Sequence, residues 1–138
     1  ATEKPAEILP SEGPAAENRA YEAAYSLAKS GSHLKAIAAY LEFQKKFPDS
    51  VHVPVTYYDI GNSYIALKEY TNAQDSYQVL LDKYPYSNKA PDAMLGIADC
   101  QQKLKDKPAA RKTLKQVIAK YPGSNAAEQA RSRLKALK

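Results

Sequence analysis

The chain has 138 residues, 44% of them hydrophobic, which is enough for one domain with a buried core. No stretch approaches the ~20 apolar residues that cross a bilayer, and a lone cysteine, Cys100, excludes an internal disulfide or a cysteine-built zinc site. The net charge of +5 is uneven: residues 1–17 hold one Lys against four Glu, while 103–138 hold eleven Lys and Arg against Asp106 and Glu128.

Residues 1–17 contain Pro5, Pro10, Pro14 and Gly13 and lack apolar periodicity. Prolines at that spacing do not share one helix interior, so the stretch reads as a flexible acidic linker. The chain starts at Ala1 without an apolar leader, which reads as a processed chain or an excised domain.

From Asn18 onward the same pattern returns three times. Phe47-Pro48-Asp49-Ser50, Tyr84-Pro85-Tyr86-Ser87 and Tyr121-Pro122-Gly123-Ser124 are spaced by 37 residues. That constant interval is the mark of stacked repeats. Shifting by 37 superposes Tyr21, Tyr58 and Leu95; Ala24, Gly61 and Ala98; Ala36, Ala73 and Ala110; Tyr40, Tyr77 and Leu114; and Phe43, Leu80 and Val117. Small residues recur where two helices would cross closely, with bulky ones three or four positions on. Each copy breaks midway, at Ser30-Gly31-Ser32, Lys68-Glu69-Tyr70 and Lys105-Asp106-Lys107.

The pattern therefore predicts helical hairpins, with first helices near 18–30, 54–67 and 91–104 and second helices near 33–46, 71–83 and 108–120. Thr71-x-x-Gln74 fits a capping box, and Pro108 suits a first helical turn. The Phe/Tyr-Pro pairs end the second helices, and Ser50, Ser87 and Ser124 are N-cap candidates. A seventh helix over 125–137, with Ala126, Ala130, Leu134 and Leu137 on one side, caps the array.

These residues resemble the tetratricopeptide repeat. In the middle copy Tyr57, Ile60-Gly61, Tyr64, Ala73, Tyr77 and Pro85 fall on the repeat's characteristic positions; the third copy puts Gln101 where its tyrosine usually sits. The resemblance implies an all-α, right-handed superhelix of three hairpins (about 18–50, 54–87 and 91–124) plus the capping helix. The long period and the Tyr-Pro-x-Ser closures are similar to the C-terminal domain of the Tol-Pal system's periplasmic protein, the cell division coordinator (YbgF/CpoB family). That similarity implies a non-enzymatic adaptor in the periplasm of a Gram-negative bacterium. Its partners would be TolA-like proteins and the peptidoglycan-synthase machinery, so that wall synthesis keeps pace with outer-membrane constriction. Trimerisation in that family rests on an N-terminal coiled coil, which these residues lack. Outer-membrane lipoproteins of the β-barrel assembly machinery share the long period and are an alternative, as is a generic peptide-binding scaffold.

In such a superhelix the first helices of the hairpins line the groove. That frame assigns Tyr21, Tyr25 and Ala28, then Tyr58, Asn62 and Ile65, then Leu95, Asp99 and Gln102 to partner contact, or to inter-helix packing with only their edges exposed. A clamp for a terminal carboxylate is disfavoured, because Asp92 and Asp99 would repel it. His33 and His52 neither recur nor form a catalytic or metal constellation and read as surface residues, and Cys100 reads as a small buried thiol. No cofactor is expected. The basic C-terminal third reads as a solvated face or a contact for an acidic partner. Its cations have no interleaved aromatics, which argues against single-stranded nucleic acid.

Overall fold

The helices follow the 37-residue beat. The computed structural model describes residues 12–137, which form α1 (Glu12–Lys29), α2 (His33–Lys46), α3 (Val53–Ala66), α4 (Tyr70–Lys83), α5 (Ala90–Lys103), α6 (Lys107–Lys120) and α7 (Asn125–Ala136). No strand occurs among the described residues, and the fold is all-α. From α2 onward each boundary lies within one residue of the sequence expectation. α1 starts six residues early, at Glu12 rather than Asn18. Pro14 does not prevent this, because the first-turn N–H groups of a helix have no intrahelical partner to lose. The rest of the expected linker, with Pro5 and Pro10, lies outside the described residues.

The chain divides into two compact units, 1–53 and 54–138. In the first, α1 and α2 pack as a hairpin around Ala24, Ala36, Ile37, Tyr40 and Phe43, all buried. In the second, α5 packs against α4, α6 and α7. One core cluster there joins Ala73, Tyr77 and Leu80 to Ala93, Ile97 and Cys100. Another joins Met94, Leu95 and Ala98 to Leu114 and Val117 of α6 and to Ala126 and Ala130 of α7. The repeated alanines Ala36, Ala73 and Ala110 are each completely buried, as close crossing of two helices requires.

The turn inside each hairpin has one geometry. Gly31, Lys68 and Lys105, themselves 37 residues apart, take left-handed backbone angles (φ 87°, 62° and 67°). The following amide reaches back to the carbonyl five residues earlier: Ser32 to Leu27 at 2.8 Å, Glu69 to Tyr64 at 2.9 Å and Asp106 to Gln101 at 2.8 Å. This is the Schellman ending of a helix, in which glycine is favoured at the left-handed position. Two of the three copies place lysine there instead.

The serines after each Pro divide into two kinds. Ser124 caps α7, its Oγ accepting from the Ala127 amide at 3.0 Å. Ser50 and Ser87 do not cap. Their Oγ atoms accept from the amides of His52 and Lys89, both at 3.1 Å, and the helices begin only at Val53 and Ala90. At these two junctions the chain makes an extra turn before the helix begins, so the serine closes that turn rather than the helix. The Thr71–Gln74 capping box is also not formed. α4 already starts at Tyr70, so Thr71 lies inside the helix, and Asn72 donates to Glu69 Oε1 at 2.7 Å. Asp106 caps α6 instead, accepting from the Ala109 amide at 3.2 Å, and Pro108 stands in that first turn as expected.

Candidate partner-binding groove

In the first unit, α1 carries Tyr21 and Tyr25 one turn apart, and their rings stack at 6.1 Å. The half-buried Tyr21 is engaged by a second stacked ring as well. The His52 ring lies on it at 4.8 Å and only 6° from parallel, while His52 Nε2 pairs with Asn18 Oδ1 at 2.9 Å. His52 is thus a half-buried packing residue rather than the surface group expected. Tyr25 keeps 40% of its surface exposed, with the Lys29 ammonium 5.5 Å from its ring centre.

The second unit is organised around Tyr77 of α4. Its ring is held between two glycines: a Cβ on Gly61 of α3 would lie 2.5 Å from it, and one on Gly96 of α5 2.6 Å. Such approach leaves room only for a hydrogen at both positions. The buried phenol donates to Asn62 Oδ1 at 2.5 Å, which fixes the Asn62 amide at the surface of α3. Burial raises the Tyr77 pKa, with smaller contributions from Cys100, Tyr58 and the nearby aspartates, so the hydroxyl stays a donor throughout the ordinary pH range.

Beside this sandwich lies a groove of about 350 Å³. Tyr58, Asn62 and Ile65 of α3 form one side, and Asp92, Leu95 and Asp99 of α5 form the other. Gln129 and Arg133 of α7 complete the lining. Five of the residues expected from sequence therefore meet in one place. Leu95 is 6% exposed and belongs mainly to the core beneath α7, so only its edge reaches the groove. Gln102 is not in the groove lining but in a neighbouring depression with Lys103 and Lys105, which shares Asp99 with the groove. Ala28 is half-buried on α1.

Charge in the groove is nearly balanced. Arg133 forms an ion pair with Asp99, while the Lys89 ammonium rests 5.1 Å from the centre of the Tyr58 ring. Burial pushes the Asp99 carboxyl above the usual carboxylate range, even against the opposing pull of Arg133 and Lys103. Tyr58 is likewise raised, first by burial, with its bond to Asn62 acting the other way. Cys100, wholly buried behind Asp99, is pushed up to about 12 by burial, as expected of an inert core thiol. Among the described residues no group of three His, Cys, Asp or Glu is placed to hold a metal. Nor is any described helix long and apolar enough to cross a membrane.

Sequence reasoning missed the contribution of α7. Gln129 and Arg133 flank the apolar stripe Ala126–Ala130–Leu134, and long polar side chains at that edge were the available signal. It also missed Tyr77, which belongs to a second helix but reaches through to the groove between two glycines.

The tetratricopeptide repeat family matches residues 20–50, 56–87 and 92–124. No curated protein matches the chain. Among solved structures, PcrH from Pseudomonas aeruginosa is similar over 95% of each chain, at 15% identity and a TM-score of 0.76. PcrH in complex with the chaperone binding region of PopB is similar over 89% of this chain and 94% of that one, at 16% identity and 0.71. The type III secretion translocator chaperone SycD of Yersinia enterocolitica is similar over 87% and 88%, at 18% identity and 0.70. With three copies matched in phase, the chain belongs to the tetratricopeptide repeat family.

Proposed function

We propose that this protein is a non-enzymatic adaptor that holds a peptide segment of a partner protein in the groove between α3 and α5. Tetratricopeptide repeats are protein–protein interaction scaffolds, and the PcrH complex is an instance of a similar fold holding a segment of another protein. The observation that carries the reading is the convergence of Tyr58, Asn62, Ile65, Asp92 and Asp99 on one groove. A ring face, a fixed amide and carboxylates suit a segment bound by stacking and hydrogen bonds. Because the Tyr77 phenol already orients Asn62, little ordering is left for binding to impose on this side.

The partner class follows from the Tyr-Pro-x-Ser closures at a 37-residue period, which resemble the division coordinator of the Tol-Pal system. On that resemblance the site of action is the periplasm of a Gram-negative bacterium. The bound segment belongs to a TolA-like protein, with the peptidoglycan-synthase machinery as a further partner. The test is a pull-down of TolA by the full chain and by Tyr58→Ala and Asn62→Ala, with circular dichroism as the folding control. Reduced capture with unchanged helicity supports the reading. Undiminished capture by both variants moves the contact to another face.

A further inference from the structure

We propose that a second groove, between α4 and α6, is a docking site for an acidic, extended polypeptide segment. This groove encloses about 450 Å³ and lies on the opposite side of α5 from the first. Met94, Ile97 and Gln101 form its floor, half a helical turn from Leu95 and Asp99, so the two grooves are lined by different faces of one helix.

Its charge comes from α6, which carries Lys107, Arg111, Lys112, Lys115 and Lys120 and no acidic residue. Lys112, Gln116 and Lys120, each four residues from the next, stand along one wall. Gln74 and Gln78 of α4 stand along the other, with Asp82. Gln78 donates to Asp82 Oδ1 at 2.9 Å, so this wall sets one carboxylate against the two lysines opposite. Among the described residues no acid forms an ion pair with Lys112 or Lys120, and both are exposed.

The shape selects among anions. Met94 and Ile97 are only 6% and 5% exposed, so the floor offers little apolar area and polar contacts must hold the guest. The amides of Gln74 and Gln116 can donate to and accept from the backbone of an extended chain. A flat bilayer surface does not follow a groove between two helices, and Tyr121 offers a single ring where a nucleic acid strand wants a series. Lys112 and Lys120 lie about 12 Å apart along the helix axis. An extended guest would match that span with carboxylates about four residues apart.

The probe is a fluorescein-labelled peptide of about ten residues with glutamates at that spacing, followed by anisotropy against the full chain. Lys112→Glu/Lys120→Glu is expected to weaken binding about tenfold or more, with an unchanged melting curve. Lys107→Glu/Lys115→Glu, an equal charge change on α6 outside the groove, and Tyr58→Ala should leave most of the affinity. The same peptide with Gln for Glu should not bind. Equal loss from both lysine pairs, binding of the Gln peptide, or displacement by an oligonucleotide of the same charge at lower concentration would overturn the proposal.

Discussion

The Tyr77 hydroxyl donates to the Asn62 side chain at 2.5 Å, from a ring that lies against the backbone of the preceding residue, Gly61. Core packing and groove geometry are therefore set by one residue. The ring fills the space between α3 and α5, and its tip aims the amide that faces outward.

Methyl groups on either side of this ring have nowhere to go. Gly61→Ala or Gly96→Ala is expected to cost about 1–3 kcal/mol, measured by urea denaturation, since the ring is hemmed in by the other glycine as well. Combining either change with Tyr77→Leu, the residue that the third copy carries at Leu114, should cost less than the sum of the single changes. Strict additivity would show that the glycines and the ring do not share one space.

Lys68 and Lys105 sit where Gly31 sits in the first hairpin, with positive φ and a side chain that the left-handed region disfavours. Lys68→Gly and Lys105→Gly should each raise stability by about 1 kcal/mol, and additively, because the turns are separate. A lower midpoint in thermal denaturation would mean that the turn strain is relieved elsewhere.

For Asp99 the sign follows from the direction of its shift. Burial raises its folded-state pKa above the ordinary aspartate value, so the folded protein holds that proton more tightly than the unfolded chain. The resulting stability is complete below the unfolded pKa and is lost as pH rises through the folded one. At neutral pH the carboxylate is thus a net cost. Asp99→Asn should be at least as stable as the parent at pH 7, with the difference shrinking toward pH 4. Arg133→Met, which removes the cation that opposes the shift, should raise the Asp99 pKa further in an NMR titration.

Cys100 should be silent to thiol reagents while the fold persists. Its side chain is fully buried and its pKa lies at about 12, so a colourimetric disulfide reagent at pH 8 should label it only at the rate of unfolding. Rapid labelling without denaturant would place the thiol at a mobile or open position.

Much of this was written plainly in the chain. The rows Ala36–Ala73–Ala110 and Phe43–Leu80–Val117 are core in every copy, because a helix crossing admits few side-chain sizes and the repeat imposes the same crossing each time. Local rules failed where a longer-range arrangement decided the outcome. Ser50 and Ser87 match Ser124 in sequence but stand before an extra turn, so the same hydroxyl serves a different amide. The glycine clamp on Tyr77 was invisible because its two halves are 35 residues apart and reach the ring from different helices. At Gln101, where the repeat usually carries a tyrosine, a polar contact takes the ring's place: Thr113 donates to Gln101 Oε1 at 2.6 Å.

The left-handed lysines carry one more consequence. A serine protease of trypsin type must draw several residues around a lysine into extended form before it can cut, and Lys68 and Lys105 are locked in tight, doubly bonded turns. Cleavage after either one would thus wait for that hairpin to come apart. The rate of cutting at these two bonds, among the chain's other lysines and arginines, would report how often the second and third hairpins open.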